Sequence, residues 1–229
     1  MIFLIFVGIV LLPAVSATIS ITGPSQLQYN IGDEIDLTGY VQETEDFSGE
    51  LQFSLVCGSK TYKLQPVEID VSANEQVSFS QLSLPSLTAS SSMLGICKIK
   101  ADLLVNSIIT ETVSSSSFEI SNDLDASFSL DQNQIQLGET IILTGSVSDL
   151  QGNPLDGTAE IYFASQDEEY LMDFVTVEKG ILIFSSLFTS GNAGTYEINV
   201  IIRDSYGNED SFYGVDSFTV LDDPQVTFH

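Results

Sequence analysis

The chain has 229 residues, of which 32 are acidic and six are basic, so its formal net charge at pH 7 is −26. This charge excludes a nucleic-acid-binding protein, which needs basic residues to displace counterions from phosphate, and an anionic membrane surface would repel it. Hydrophobic residues make up 43% of the chain, which is enough to form packed cores and argues against wholesale disorder.

The N-terminal residues predict export. Residues 2–12 form an apolar run that ends at Pro13, and small or apolar residues occupy positions 15–17. This pattern is typical of a signal peptide, and we predict cleavage after Ala17. No Lys or Arg precedes the run, so either the true start lies upstream or the export machinery tolerates this departure. A retained anchor is the alternative to cleavage, although the run is shorter than the roughly 20 residues that span a bilayer. No second long apolar run follows, so we predict a secreted protein without a membrane span in its mature part.

Alternating apolar residues predict β-strands in residues 18–121. Ile35, Leu37 and Val41 stand at even spacing, which places them on one buried face of a strand. Gly32 precedes this strand and predicts a tight turn with a positive φ. Further strands are predicted at 49–55, 95–101 and 117–120.

The two cysteines, Cys57 and Cys97, are predicted to form a disulfide bond, because an even number of cysteines in an exported chain favours pairing. Two buried free thiols are the alternative. The bond would join neighbouring strands of one sheet. The only histidine is His229, so a zinc site or a histidine-dependent catalytic site lacks its residues, and we expect no enzyme.

The second half of the chain repeats the first. Residues 135–147 align with residues 29–41 without gaps, and Gly138 stands at the place of Gly32. Strands are predicted in the same order at 157–163, 194–200 and 217–220. About seven short strands in each repeat indicate tandem β-sandwiches, at 18–121 and 122–221. No helix is predicted, and Tyr196 is predicted to be a buried aromatic residue with a paired hydroxyl group.

Two segments of the second repeat resemble a known family. Residues 138–147, the turn Gly152-Asn153-Pro154, and residues 193–208 are similar to prokaryotic immunoglobulin-like repeats of invasin- and intimin-type adhesins, archaeal surface-layer proteins and macroglobulin-type domains. The resemblance covers most of 124–221 and less of 18–121, where residues 44–48 replace the Gly-Asn-Pro turn. It implies an all-β fold of tandem immunoglobulin-like sandwiches and an extracellular role, and it carries no catalytic residues.

Oxygen-bearing side chains are predicted to meet where the two repeats join. In a sandwich of this topology, the loops 149–156 and 204–210 lie at the end that receives the linker. Crowded carboxylates repel each other, and Ca²⁺ prefers several oxygen ligands. The candidate ligands are Asn122, Asp123, Asp125, Asp149, Asp204, Asn208 and Asp210. A solvated linker without a metal is the alternative, and calcium is the only cofactor that the sequence indicates.

Residues 222–229 are predicted to begin a truncated third repeat or to form a tail, because residues 223–228 match the pattern of residues 123–128. Neighbouring repeats would then follow. The sequence predicts a structural or adhesive protein of a cell surface, acting as a spacer or as an attachment module for a protein or glycan. The alternatives are an accessory region of a larger secreted enzyme, and a glycan- or protein-binding module in which Tyr206 and Tyr213 would stack on a sugar.

Overall fold

A computed structural model describes residues 18–165, 168–189 and 192–222. These residues form eighteen β-strands and two short 3₁₀ helices, which confirms the all-β prediction. None of these helices is long and apolar enough to cross a membrane. The predicted signal peptide at 1–17 lies outside the described residues, as does the tail from residue 223 onward.

The strands follow one another with short connections, and the two helices span Phe79–Gln81 and Ser91–Met93. The first ten strands are β1 (Thr18–Ile21), β2 (Gln28–Asn30), β3 (Gly39–Gln42), β4 (Phe47–Cys57), β5 (Lys60–Lys63), β6 (Val67–Val71), β7 (Gln76–Ser78), β8 (Gly95–Val105), β9 (Ile108–Ser114) and β10 (Phe118–Ser121). The other eight are β11 (Asp125–Leu130), β12 (Gln134–Ile135), β13 (Thr140–Ser148), β14 (Gly157–Ser165), β15 (Glu168–Glu178), β16 (Ile181–Leu187), β17 (Gly194–Asp204) and β18 (Glu209–Val220).

The chain divides into two compact units, each built from discontinuous segments. Of the described residues, unit 1 contains 18–25, 36–86 and 98–117, and unit 2 contains 26–35, 87–97 and the residues from 118 onward. The domain limits predicted from the sequence, 18–121 and 122–221, remain predictions.

Unit 1 buries alternate residues of its longest strands. One sheet has the order β1-β3-β7, β4 pairs with β5 and β6, and β8 pairs with β9. Leu51, Phe53 and Leu55 of β4 are fully buried, as the period of two predicts. The ring of Phe53 meets that of Phe79 edge to face, with centroids 5.0 Å apart, so aromatic contacts fill the centre of this unit.

The strand predicted from residue 35 onward begins only at Gly39. Two amides, those of Thr22 and Gly23, donate to the carbonyl group of Thr38, and the carboxylate of Asp36 accepts a hydrogen bond from the amide of Ser25. Side-chain bonding of this kind competes with a regular ladder. In the second repeat, β13 is continuous because it pairs with β11 on one side and β16 on the other.

Unit 2 contains a sandwich formed by one sheet that folds over on itself. Its order is β11-β13-β16-β15-β14-β17-β18-β12. The hairpin between β15 and β16 pairs only at Val177↔Leu182 and Glu178↔Ile181, next to its turn. Beyond that turn the strands separate into two layers, and Phe163 of β14 packs on Phe184 of β16 with ring centroids 5.9 Å apart. The inward faces of both layers form one apolar core.

Candidate functional site

The predicted disulfide is present in the structure. Both Cys57 and Cys97 are disulfide-bonded, and no described cysteine is free. The strand order places β4, which ends at Cys57, next to β8, which carries Cys97. The bond is therefore the cross-strand link expected from the sequence.

Two loops of unit 2 are each built around one aspartate. The Oδ1 atom of Asp204 accepts hydrogen bonds from the amides of Tyr206, Gly207 and Asn208, at 2.8, 2.8 and 2.9 Å. The Oδ1 atom of Asp149 accepts from the amides of Gln151 and Asn153, at 2.9 and 2.8 Å. Aspartates bind backbone amides of their own loop in this way because their side chains are short. Both carboxylates thus shape the loops that carry them.

Two buried asparagines attach the segment 26–35 to these loops within unit 2. The side chain of Asn30 donates to the carbonyl oxygen of Asp123 at 2.7 Å and accepts from the amide of Leu150 at 3.0 Å. The side chain of Asn208 accepts from the amide of Ile31 at 3.0 Å and donates to its carbonyl oxygen at 2.9 Å. Asn30 and Asn208 are only 1% and 2% exposed, and the two hydrogen bonds of each side chain offset the free-energy cost of its desolvation.

Asp33 is a further acid at this place, and the sequence did not predict it. Burial raises the pKa of Asp33, and the negative charges of Asp149 and Asp204 raise it further. The amide of Asn30, which donates to Asp33 at 2.7 Å, opposes these effects in part. Asp33 therefore lies close enough to Asp149 and Asp204 to be repelled by their negative charges.

The structure brings only some of the seven candidate calcium ligands together. Asp149, Asp204 and Asn208 line one cavity of about 280 Å³. The other four lie along the linker and the start of β18. The side chain of Asn122 donates to the carbonyl oxygen of Glu209, and the carbonyl oxygen of Asp123 accepts from Asn30. Asp125 pairs with Ser148 of β13, and the carboxylate of Asp210 accepts from the amide of Leu124. In the described parts of the chain, no group of three or more His, Cys, Asp or Glu could hold a metal ion. Calcium binding remains a prediction.

Unit 1 contains a second acidic site, which the sequence analysis missed. Glu43 is 1% exposed, and neither of its carboxylate oxygens has a hydrogen-bond partner among the described residues. Burial raises the pKa of Glu43, and the negative charge of Glu111 raises it further. Glu111 accepts a hydrogen bond from the amide of Ile19 at 3.2 Å through Oε1, whereas its buried Oε2 has no described partner. The only signal in the sequence is that Glu43 follows Val41 at a spacing of two, on the buried face of the strand.

An apolar pocket of about 440 Å³ lies in unit 2, lined by residues that include Phe163, Tyr170, Met172, Phe188 and Tyr196. The hydroxyl group of Tyr196 donates to the carbonyl oxygen of Asn192 at 3.0 Å. The prediction of a buried tyrosine with a paired hydroxyl is thereby confirmed.

No family model matches the sequence, and no curated protein matches it. Among solved structures, red sea bream transglutaminase is similar over 90% of this chain, with 12% identity and a TM-score of 0.39. The chain spans 31% of the length of that transglutaminase. The fibronectin(III)-like modules of CbhA from Clostridium thermocellum are similar over 89% of this chain and 93% of theirs, with 12% identity and a TM-score of 0.29. At these values neither structure bears on the function of the chain.

Proposed function

We propose that this protein is a secreted structural or adhesive repeat protein of a cell surface, acting as a spacer or attachment module. The repeats that residues 138–155 resemble, those of invasin- and intimin-type adhesins and surface-layer proteins, are the class that we favour. The observation that carries the proposal is the pair of buried hydrogen bonds between Asn208 and Ile31.

The backbone groups of Ile31 are held by a distant part of the chain. They are buried, and they are bonded to a side chain that lies 177 residues further along the chain. Asn30 adds two more bonds of the same kind. Residues 26–35 are thus fixed to the loops of the second sandwich within unit 2, and a segment held by buried hydrogen bonds suits a structural role.

The location has a direct test on intact cells that produce the protein. A membrane-impermeant amine reagent would label Lys60, Lys63 and Lys98, which are exposed. We expect labelling before lysis, with an abundant cytoplasmic protein as the unlabelled control. Labelling only after lysis would contradict an extracellular role. A strain that lacks the chain should also lose surface attachment or lattice order, and unchanged attachment and order would contradict the structural or adhesive role.

Glycan binding is a second candidate, favoured by the exposure of two aromatic residues. Tyr206 and Tyr213 are 68% and 74% exposed, and exposed rings are the usual stacking partners of sugars. A glycan array of the full chain, with Tyr213→Ala as the matched variant, tests this role. Binding that the variant loses supports the glycan-binding role, and the absence of binding to every glycan on the array would contradict this role.

Calcium binding at the loops of unit 2 is a separate part of the proposal, with its own test. Millimolar calcium should raise the Tm of the full chain if Asp149, Asp204 and the linker acids bind the ion. Asp149→Asn should then reduce the rise. An unchanged Tm at millimolar calcium would rule the site out.

A further inference from the structure

Among the described residues, the carboxylates of Glu43 and Glu111 in unit 1 have no positive partner, which a buried acid pair requires. Burying a charge without a partner costs far more than burying a paired one. Two carboxylates that face each other can share a proton, but Glu43 has no described hydrogen-bond donor, and the only described donor to Glu111 is the amide of Ile19. Burial and the negative charge of Glu111 both raise the pKa of Glu43, and no cation in the part of the chain that the structure describes offsets them. A cation is therefore what this site would bind.

The first residue of β1 lies close to this pair. β1 begins at Thr18, and Thr18 pairs with Gln42, the residue directly before Glu43. The amide of Ile19, one residue further, already donates to Oε1 of Glu111 at 3.2 Å. Consecutive backbone nitrogens lie about 3.5 Å apart, so the nitrogen of Thr18 is within about 7 Å of that carboxylate oxygen.

Thr18 is also the residue that the predicted signal-peptide cleavage would expose. Signal peptidase hydrolyses a peptide bond with water, so cleavage after Ala17 leaves a carboxylate on Ala17 and an amine on Thr18. With an ordinary α-amino pKa of about 7.7–8.0, that amine takes up a proton and is an ammonium group at neutral pH.

We propose that the α-ammonium group of Thr18, released by cleavage after Ala17, binds between the carboxylates of Glu43 and Glu111. This inference rests on the export that the proposed function requires. The terminal residue is free to rotate about its own Cα–C bond, which allows its nitrogen to turn towards both acids. The ion pair satisfies the buried oxygens, and it makes the processed chain more stable than its precursor.

The test compares two chains in solution, the full chain 1–229 and the chain 18–229 with a free Thr18 amine. The second is made by removing a fusion partner whose protease leaves no extra residue. At pH 7 the processed chain should melt at least about 3 °C above the precursor. Its α-amino group, followed by NMR or by pH-dependent acylation, should titrate above the ordinary value of about 8. Equal melting temperatures together with an ordinary amine titration would overturn the inference.

Variants separate an ion pair from a general effect of the leader. Glu43→Gln and Glu111→Gln should remove most of the difference between the two chains, whereas Glu45→Gln, at an exposed position nearby, should leave it intact. Acetylation of the Thr18 amine should lower the Tm of chain 18–229 to that of the precursor. A difference that persists in Glu43→Gln or after acetylation would count against the ion pair.

Top-down mass spectrometry of the native protein distinguishes this inference from the proposed function. A first residue of Thr18, together with the stability difference, supports both. An exported chain that begins at another residue overturns the ion pair only, and a native chain that retains residues 1–17 inside the cell overturns both.

Discussion

The side chain of Asn208 holds both backbone groups of Ile31, although 177 residues separate the two in sequence. An asparagine amide carries one acceptor and one donor at the spacing of a backbone pair, so it takes the place of a neighbouring strand. No other neutral side chain of similar size and shape offers both groups in the same plane.

We predict that Asn208→Ala destabilises the protein by about 2–4 kcal/mol, because it leaves a buried N–H and a buried C=O group without partners. Asn208→Asp keeps the acceptor but places a buried carboxylate against the carbonyl oxygen of Ile31 and the carboxylate of Asp204, so it should destabilise the protein more than alanine does at neutral pH. Urea unfolding of the full chain measures both, with Asn133→Ala, at an exposed position, as the control. Equal stability of Asn208→Ala and the control would show that the contact is unimportant.

The turns before the two homologous strands provide a second, internally matched prediction. Gly32 and Gly138 have φ angles of +99° and +91°, so an alanine is strained at either position. The difference is that a Cβ atom on Gly32 would lie 2.6 Å from the ring of Tyr206, whereas nothing lies within 4 Å of one on Gly138.

Gly138→Ala should therefore cost about 1 kcal/mol, and Gly32→Ala should cost more by the displacement of Tyr206. In a Tyr206→Ala background the two substitutions should become equal. Unfolding free energies of the single and double variants give this comparison, and an equal cost in the native background would refute the steric contact.

Removal of the disulfide tests how much unit 1 and β8 depend on it. The chain-entropy model gives about 4 kcal/mol for a closed loop of this length, residues 57–97. Cys57→Ala/Cys97→Ala should lower the free energy of unfolding by about that amount. A reductant should destabilise the native chain and leave the double variant unchanged, and no effect of reductant on the native chain would argue against a bond.

The decrease of the free energy of unfolding at acid pH should depend on Asp102. Burial acts to raise the pKa of Asp102, but hydrogen bonds from Lys100 at 2.8 Å and Thr112 at 2.5 Å, with the charges of Lys100 and Lys63, hold this pKa below its ordinary value. A lowered folded pKa contributes stability that is present above the unfolded pKa and is lost as the pH falls through the folded one.

Lys100→Met should consequently destabilise the chain by about 1–3 kcal/mol at pH 7, and the difference should shrink as the pH falls below about 3.8. Lys98→Met, an exposed position on the same strand, is the matched control. A loss that stays constant down to pH 2.5 would mean that the lysine acts through packing instead.

Period-two patterns were enough to predict the strands, the number of cysteines predicted the disulfide, and the glycines before the strands predicted the turns at Gly32 and Gly138. The period-two patterns failed at residues 35–38, where the carboxylate of Asp36 and the carbonyl group of Thr38 bind the chain at 22–25 instead of a neighbouring strand. Such bonds depend on which segments meet in space, and a single sequence does not contain that information.

The candidate sites were likewise predictable only in part from the sequence. The topology of a sandwich predicted that Asp149 and Asp204 would lie together, because their loops lie at the same end. Asn30 and Glu43 were missed, because an isolated polar residue looks solvated until its surroundings are known. Both residues are buried: Asn30 bonds to the loops of unit 2, whereas the carboxylate of Glu43 has no described hydrogen-bond partner.

The outer face of β16 has a consequence for how the protein behaves at high concentration. Ile181 and Ile183 are 58% and 61% exposed. In the other layer, Phe174 of β15, which pairs with Glu160 of β14, is 63% exposed. Exposed apolar side chains on strands promote association between molecules. A net charge of −26 opposes that association by mutual repulsion between molecules. Strong salt or acid weakens the repulsion, so colloidal stability depends on the solvent as much as on the fold.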